Sequence, residues 1–340
     1  MGITYKDAGV DINKIKKSQT SIGRLISTTH KLQKKVRIMS GFGHYAGIVK
    51  MPGGMLLATH TDGVGTKVII AQEMKKYDTV GIDCVAMNVN DIICTGAVPI
   101  SFVDYIAANR NDEKKFNDIV KGLVRGAKEA QVPIVGGETA ILPDLISGSN
   151  FSFDLAGTVV GILNKDDMIL GNKIKTSDVI IGVNSSGLHS NGYSLARKTL
   201  FSKYSILEKI KGIGVLGDAL LEPTKIYVKP VLQSLKECNI HGLAHITGGS
   251  FTKLLRLKKI GFVLDDLPEP PLIFQIIENQ GVEKLEMYKT FNMGVGFCLV
   301  VPKDNETRIV QIFKKYGFKS QRIGKIVEKS GVYINNQKIA

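Results

Sequence analysis

Four glycine-rich or polar strings carry the residue types from which phosphate chemistry is built. The first, Thr61-Asp62-Gly63-Val64-Gly65-Thr66-Lys67, sets a carboxylate, flexible backbone and a cation side by side. Glycines let backbone N–H groups approach phosphate oxygens, Lys67 adds charge, and Asp62 can hold Mg2+. The spacing is not that of a Walker A loop, and a tight turn with an exposed Asp and Lys suits the isolated string equally well. The second is Asn88 with Asp91, three apart in a segment whose flanks Val85, Met87, Val89, Ile92 and Ile93 are apolar nearly all round. That pattern implies a buried helix, and a buried Asp91 needs a metal or a cation as partner. The third, Ser185-Ser186-Gly187-Leu188-His189-Ser190-Asn191-Gly192, sits between strand-like and helical segments, where it makes either an anion site or a plain helix cap. The fourth is the glycine loop from Ser40 through Gly41 and Gly43 to Gly47. His245, beside apolar Leu243 and Ala244, suits a core side chain as well as a ligand, and His44 and His60 read the same way. Together these strings indicate a Mg-nucleotide enzyme with no nucleophile triad.

The elements that must position them follow from periodicity. Residues 11 to 29 place Ile15, Ile22, Leu25 and Ile26 at helical spacing among basic residues, an amphipathic cover. A strand at 55 to 59 runs into the Asp62 loop, 78 to 94 is a helix, and 100 to 107 a strand. The clearest helix is 112 to 130, where Phe116, Ile119, Val120, Leu123, Val124 and Ala127 share a face. A short strand at 133 to 135 is expected to break at Gly136-Gly137, and 153 to 163 reads as a strand closing the first half. The second half opens with the apolar run 179 to 183. Strands and helices mix without strict alternation, which predicts two α+β domains, taken as 1–166 and 167–340.

Length and composition agree with that division. The chain has 340 residues, room for two cores, and 44% apolar with 22% charged residues excludes a disordered chain. Its net charge of +14 raises the question of nucleic acid, but only eight of the 45 basic residues are Arg and the lysines are dispersed, unlike a readout surface. Four cysteines with no close pair read as reduced core thiols of a cytoplasmic protein, and no apolar stretch is long enough for a spanning helix.

In combination the strings are far more specific. TYKDAGVDI at 4 to 12, TDGVGTK at 61 to 67, GIDCVAMNVND at 81 to 91, VGGETA at 135 to 140, SSGLHSNGYSLARK at 185 to 198, EPTKIYVK at 222 to 229, AHITGG at 244 to 249 and EMYKTFNMGVG at 286 to 296 fall in the order found in the phosphoribosylformylglycinamidine cyclo-ligase family. The chain resembles that family over most of its length. The resemblance implies two α+β domains, with the first-domain sheets of two subunits joined into a barrel across a homodimer, and ATP with Mg2+ in the interdomain cleft. It makes Asp62 and Asp91 the metal ligands and brings Gly41, Gly43, Gly63, Gly65, Thr66 and Lys67 to the nucleotide. Ser186, Gly187, His189, Ser190 and Asn191 would hold the phosphate of formylglycinamidine ribonucleotide. Lys67, Glu138, His189 and His245 are the candidates for catalysis, with Glu138 or His189 as general base. It implies no nucleic-acid or membrane partner. Two departures adjoin the nucleotide loop: SGFGHYAG replaces a richer run ending GGFGAL, and His60 stands where many members have a small residue.

Overall fold

The computed structural model describes residues 2–340, apart from the side chains of Ile12, Asn13 and Lys16. The first half begins with helix α1 (Ile12–Ser27) and forms a six-stranded sheet from β1 (Arg37–Ser40), β2 (Gly47–Lys50), β3 (Leu56–Gly63), β4 (Val98–Ala108), β5 (Ile134–Ile141) and β6 (Phe153–Leu163). Strand order is β1-β2-β3-β6-β4-β5, antiparallel except for the β4–β5 pair at one edge. That parallel pair needs a crossover, which helix α4 (Glu113–Ala130) supplies. Asp112 caps α4 by accepting from the Lys115 N–H, and the buried stripe Ile119, Leu123 and Ala127 is the one its periodicity predicts.

Helices α2 (Lys67–Met74) and α3 (Val80–Ile93) complete this half. α3 is buried almost throughout and packs closely on α4. A Cβ on Gly81 would stand 2.3 Å from the Leu123 nitrogen, and one on Gly122 2.4 Å from the Asp78 carbonyl oxygen, so only glycine allows this approach. The sheet is covered on one side. Along β6 buried and half-buried residues alternate, and on β4 Phe102 and Ile106 are buried while Val103 and Tyr105 are exposed.

The expected break at Gly136-Gly137 is not observed: β5 continues through both glycines to Ile141. A Cβ on Gly137 would lie 2.4 Å from Asp104 Oδ1, so glycine is there because the neighbouring strand's side chain lies close, not because the chain turns. β3 likewise extends past the expected end to Gly63, which places Asp62 on the strand.

The second half is a seven-stranded sheet from β7 (Asp178–Asn184), β10 (Gly242–His245), β11 (Gly261–Leu264), β12 (Val295–Pro302), β13 (Ser320–Val327), β14 (Gly331–Ile334) and β15 (Gln337–Lys338), with a small hairpin of β8 (Lys209–Ile210) and β9 (Gly214–Val215) apart from it. Its order is β10-β12-β7-β13-β11-β14-β15, mixed in direction. β7 and β12 are buried along nearly their whole length, as their continuous apolar runs require. Both halves are therefore α+β, in agreement with the fold class read from the sequence. Among the described residues no helix is long and apolar enough to cross a membrane.

Candidate active site

Helix α3 is the joint between the halves. Asp83, Asn90 and Asp91 sit seven and eight residues apart, so they share the face turned toward the second half. Asp83 Oδ1 accepts from Lys67 Nζ at 3.0 Å, from the Thr224 N–H at 2.8 Å and from the Thr224 hydroxyl at 2.6 Å. Asn90 Oδ1 accepts from the Tyr227 N–H at 2.9 Å, and its amide nitrogen donates to the Lys225 carbonyl at 2.8 Å. Asp91 Oδ1 accepts from His245 Nδ1 at 2.7 Å, across from β10.

The open part of this surface is a cluster of His60 and Asp62 on β3 with Asp91 on α3, whose donor atoms lie within 4.8 Å of one another. Asp62 Oδ1 accepts from the Gly63 N–H at 2.8 Å, and the Asn88 amide nitrogen donates to the Asp62 carbonyl at 3.1 Å. Two adjacent carboxylates push their affinities for protons apart. Burial and then the Asp91 charge lift Asp62 above the usual carboxylate range. Burial would lift Asp91 too, but Lys253, the His245 hydrogen bond and His60 together hold it well below that range, so Asp91 is the firmly ionised member. Lys253 is buried and donates to the Thr247 hydroxyl. Burial lowers its pKa and the nearby Asp91 charge opposes that.

His245 is completely buried, with its ring Nδ1 on Asp91 and the Asn90 amide 3.4 Å from Nε2. These partners assign the proton to Nδ1, and burial keeps the ring neutral. His189 lies one ring further on, 6.5 Å from His245 between centroids. Its Nε2 accepts from the Ser186 N–H at 3.2 Å, its Nδ1 is buried with no hydrogen-bond partner among the described residues, and burial pushes its pKa far down.

Two cavities are relevant. The first, about 580 Å3, runs along the linker from Asp166 to Lys173 and holds none of the candidate residues. The second, about 440 Å3, lies between α1 and the 310 turn Ser250–Arg256, lined by Ile15, Gly248, Gly249, Lys253 and Arg256. Lys253 lines this second cavity and its charge acts on both carboxylates of the pair, a link that the first cavity lacks.

The expected residues are brought together unevenly. A Cβ on Gly43, Gly65 or Gly187 would meet nothing within 4 Å, so these loops face open space, and Thr66 is exposed at the start of α2. Gly41 instead packs under His30, whose ring would be 3.0 Å from a Cβ there. The Ser186 hydroxyl donates to the Pro223 carbonyl, Ser190 pairs with Thr224 at 3.2 Å, and Asn191 contacts Met87. Lys67 departs from the phosphate role read in the sequence: its ammonium is fully buried between Asp83 and the Glu222 carbonyl, 2.7 Å away. Glu138 departs further. It is exposed on β5 and pairs in register with Tyr105, which faces Ala156 and then Gly63. Three strand spacings of about 4.8 Å put it roughly 14 Å from the cluster, too far to serve as its base within one chain.

The sequence reading did not single out Asp83, Thr224, Tyr45 or Lys253. Asp83 was signalled by its helical spacing from Asn90; nothing in Ser250–Arg256 marked Lys253, which reaches the pair only through the tertiary fold.

Two α+β halves joined at a carboxylate cleft define the class, and comparison with known proteins places it in a family. Residues 43–163 match the family described as "AIR synthase related protein, N-terminal domain", and residues 175–335 its C-terminal domain. The chain is 48% identical over 343 residues to the phosphoribosylformylglycinamidine cyclo-ligase of Methanocaldococcus jannaschii, covering 99% of this chain and 95% of that one. It is 47% identical over 330 residues to the enzyme of the same name from Pyrococcus horikoshii, covering 96% of each. Among solved structures, thiamine-monophosphate kinase from Stenotrophomonas maltophilia shares the fold with TM-score 0.64 at 15% identity, covering 88% of this chain and 92% of that one. Hydrogenase maturation protein HypE in complex with ATP does so with TM-score 0.56 at 18% identity, covering 81% and 77%. The chain belongs to the phosphoribosylformylglycinamidine cyclo-ligase family.

Proposed function

We propose that the chain catalyses the ATP-dependent ring closure of formylglycinamidine ribonucleotide to 5-aminoimidazole ribonucleotide, with ADP and phosphate as co-products, in purine biosynthesis. Family membership along nearly the whole chain carries this reading, and the carboxylate cleft gives it a place. The γ-phosphoryl group passes from ATP to the formamide oxygen, which then leaves as phosphate when the substrate's own nitrogen attacks the activated carbon. No covalent protein nucleophile is needed, so holding the reacting groups together and neutralising charge is the main task.

Asp62 and Asp91 suit a divalent cation such as Mg2+, since a half-buried and a buried carboxylate, the latter firmly ionised, stand together beside His60. When bound, the cation offsets phosphate charge. The backbone around Gly43, Gly65 and Thr66 faces open space and serves the nucleotide phosphates. The 186–192 loop holds the ribonucleotide phosphate through backbone near Gly187, because the Ser186 and Ser190 hydroxyls are already engaged. Of the two candidate bases His189 lies nearer the carboxylates, one ring beyond His245, with its Nδ1 unpartnered among the described residues. His245 acts by orienting Asp91.

The working division is 1–166 for nucleotide and cation and 167–340 for substrate, in a cytoplasmic homodimer. The uncovered sheet face, with Val98, Ile100, Val103, Tyr105, Val135 and Ile141 exposed, is the surface such a dimer covers to form its barrel. The test is an assay with ATP, Mg2+ and formylglycinamidine ribonucleotide. Aminoimidazole ribonucleotide and ADP should form in equal amounts, and Asp62→Asn or Asp91→Asn should lower turnover about 100- to 1000-fold. No product from the wild type sinks the reading.

A further inference from the structure

The cation site has a third donor that gives it a different preference. We propose that His60, Asp62 and Asp91 together form a one-imidazole, two-carboxylate site that selects a first-row transition-metal dication of the Mn2+ type over Mg2+. This rests on the reading that Asp62 and Asp91 hold a divalent cation, and it adds which cation and why.

The geometry has the form of a ligand set and not of a hydrogen-bonded pair. His60 Nε2 stands 3.6 Å from Asp91 Oδ2, too far for a hydrogen bond. Two donors each roughly 2.1 Å from one ion stand about 3–4 Å apart, which is this separation. His60 Nε2 is buried and has no hydrogen-bond partner among the described residues. The Asp91 oxygen facing it is the one His245 leaves open, since His245 Nδ1 holds Oδ1. Asp62 is fixed from both sides, its Oδ1 by the Gly63 N–H and its carbonyl by Asn88. Asn88, whose amide nitrogen holds the Asp62 carbonyl, has a buried Oδ1 with no hydrogen-bond partner among the described residues.

The donor chemistry then decides the preference. Mg2+ favours oxygen donors and keeps much of its water, whereas imidazole nitrogen favours the transition metals. Two carboxylates with one imidazole suit Mn2+, and Co2+ still more by the general affinity order. The Lys253 ammonium near the carboxylates leaves the set about one negative charge, so affinity in the absence of nucleotide is modest.

The experiment measures metal binding to the whole protein without substrate. Mn2+ is titrated and followed by electron paramagnetic resonance, with Mg2+ as competitor, for wild type, His60→Ala, His60→Asn and Asp62→Asn, each checked for a native circular-dichroism spectrum. Pulsed measurement on the wild type should show 14N coupling from a bound imidazole. His60→Ala should lose that coupling and on the order of tenfold in Mn2+ affinity while Mg2+ affinity changes little. Mn2+ bound with no 14N coupling in the wild type overturns the proposal and leaves the carboxylate reading standing. Mn2+ and Mg2+ bound by Asp62→Asn as tightly as by the wild type overturns both.

Discussion

The two ends of helix α3 present the same residue type to the same neighbour and leave it in opposite states. Asp83 receives the Lys67 ammonium and both donors of Thr224, and neither it nor Lys67 has any measurable exposure. Asp91 receives one hydrogen bond, from His245, and keeps an oxygen turned toward His60 and the cleft. Both carboxylates are buried and both hold the halves together. The difference is whether an ammonium of the protein sits directly on the carboxylate: Lys67 Nζ lies 2.8 Å from Asp83 Oδ2 and 3.0 Å from Oδ1, whereas Asp91 Oδ2 faces His60 across 3.6 Å. A buried carboxylate paired in this way acts as a structural joint, and one that keeps an oxygen turned to the cleft is left open to a further partner.

The largest effect expected from this contrast is on stability at the closed end. Lys67→Met removes one member of a buried pair and strands the Asp83 charge, which should cost about 3–5 kcal/mol. Denaturant unfolding of Lys67→Met and Asp91→Asn would measure it. Asp91→Asn should cost less, because relieving the repulsion with Asp62 offsets part of what is lost with Lys253, His245 and His60. Equal losses in the two variants would break the distinction between joint and site.

A smaller effect separates positioning from contact at the open end. His245 gives its Nδ1 proton to Asp91 and stands behind it, away from His60. His245→Leu should lose about 10- to 100-fold in metal affinity and turnover together. His245→Asn keeps an N–H near the same place and should recover most of that loss. Steady-state kinetics and metal titration of both variants check this; failure of Asn to recover more than Leu would show that the ring does more than orient Asp91.

Much of this was legible in the sequence, and the rest was hidden for identifiable reasons. Helix α4 was readable because its apolar stripe, its Asp112 cap and its length agree. That Asp62 and Asp91 would stand out was legible because each is an unusual residue in its setting, a carboxylate leading into a glycine run and a charge in an apolar helix; the structure brings their donor atoms within 4.8 Å of each other and of His60. Lys67 was misread because a lysine after glycines has the same spelling whether it faces phosphate or a buried aspartate, and only the fold brings Asp83 to it. Gly136-Gly137 read as a break because a glycine needed for a close approach of Asp104 is written like one needed for a turn. Lys253 and Tyr45 were invisible because their importance is purely tertiary: Tyr45 carries the Lys253 ammonium 5.9 Å and the Arg256 guanidinium 5.6 Å from its ring.

The last expected effect concerns His44, which lies in one of the two departures beside the nucleotide loop. Its nitrogens are buried with no hydrogen-bond partner among the described residues, and burial, helped by the Arg256 charge and opposed by Asp91, lowers its pKa to about 4. The remaining close ring is Tyr45, 5.5 Å away edge-on. In the unfolded chain the same group titrates near 6.5. Between these values the unfolded state binds the proton and the folded state does not, so stability rises with pH through this window and falls on acidification. The full contribution is present above the unfolded pKa, and going from pH 7 to pH 5 should remove about 2 kcal/mol. His44→Phe keeps the ring and removes the titration, so the midpoint of thermal unfolding should fall less steeply between pH 7 and 5 than in the wild type. Parallel curves for the two proteins would mean that His44 finds a proton donor or acceptor in solution, and that the open end of the cleft is wetter than the closed end by more than the Asp91 oxygen alone requires.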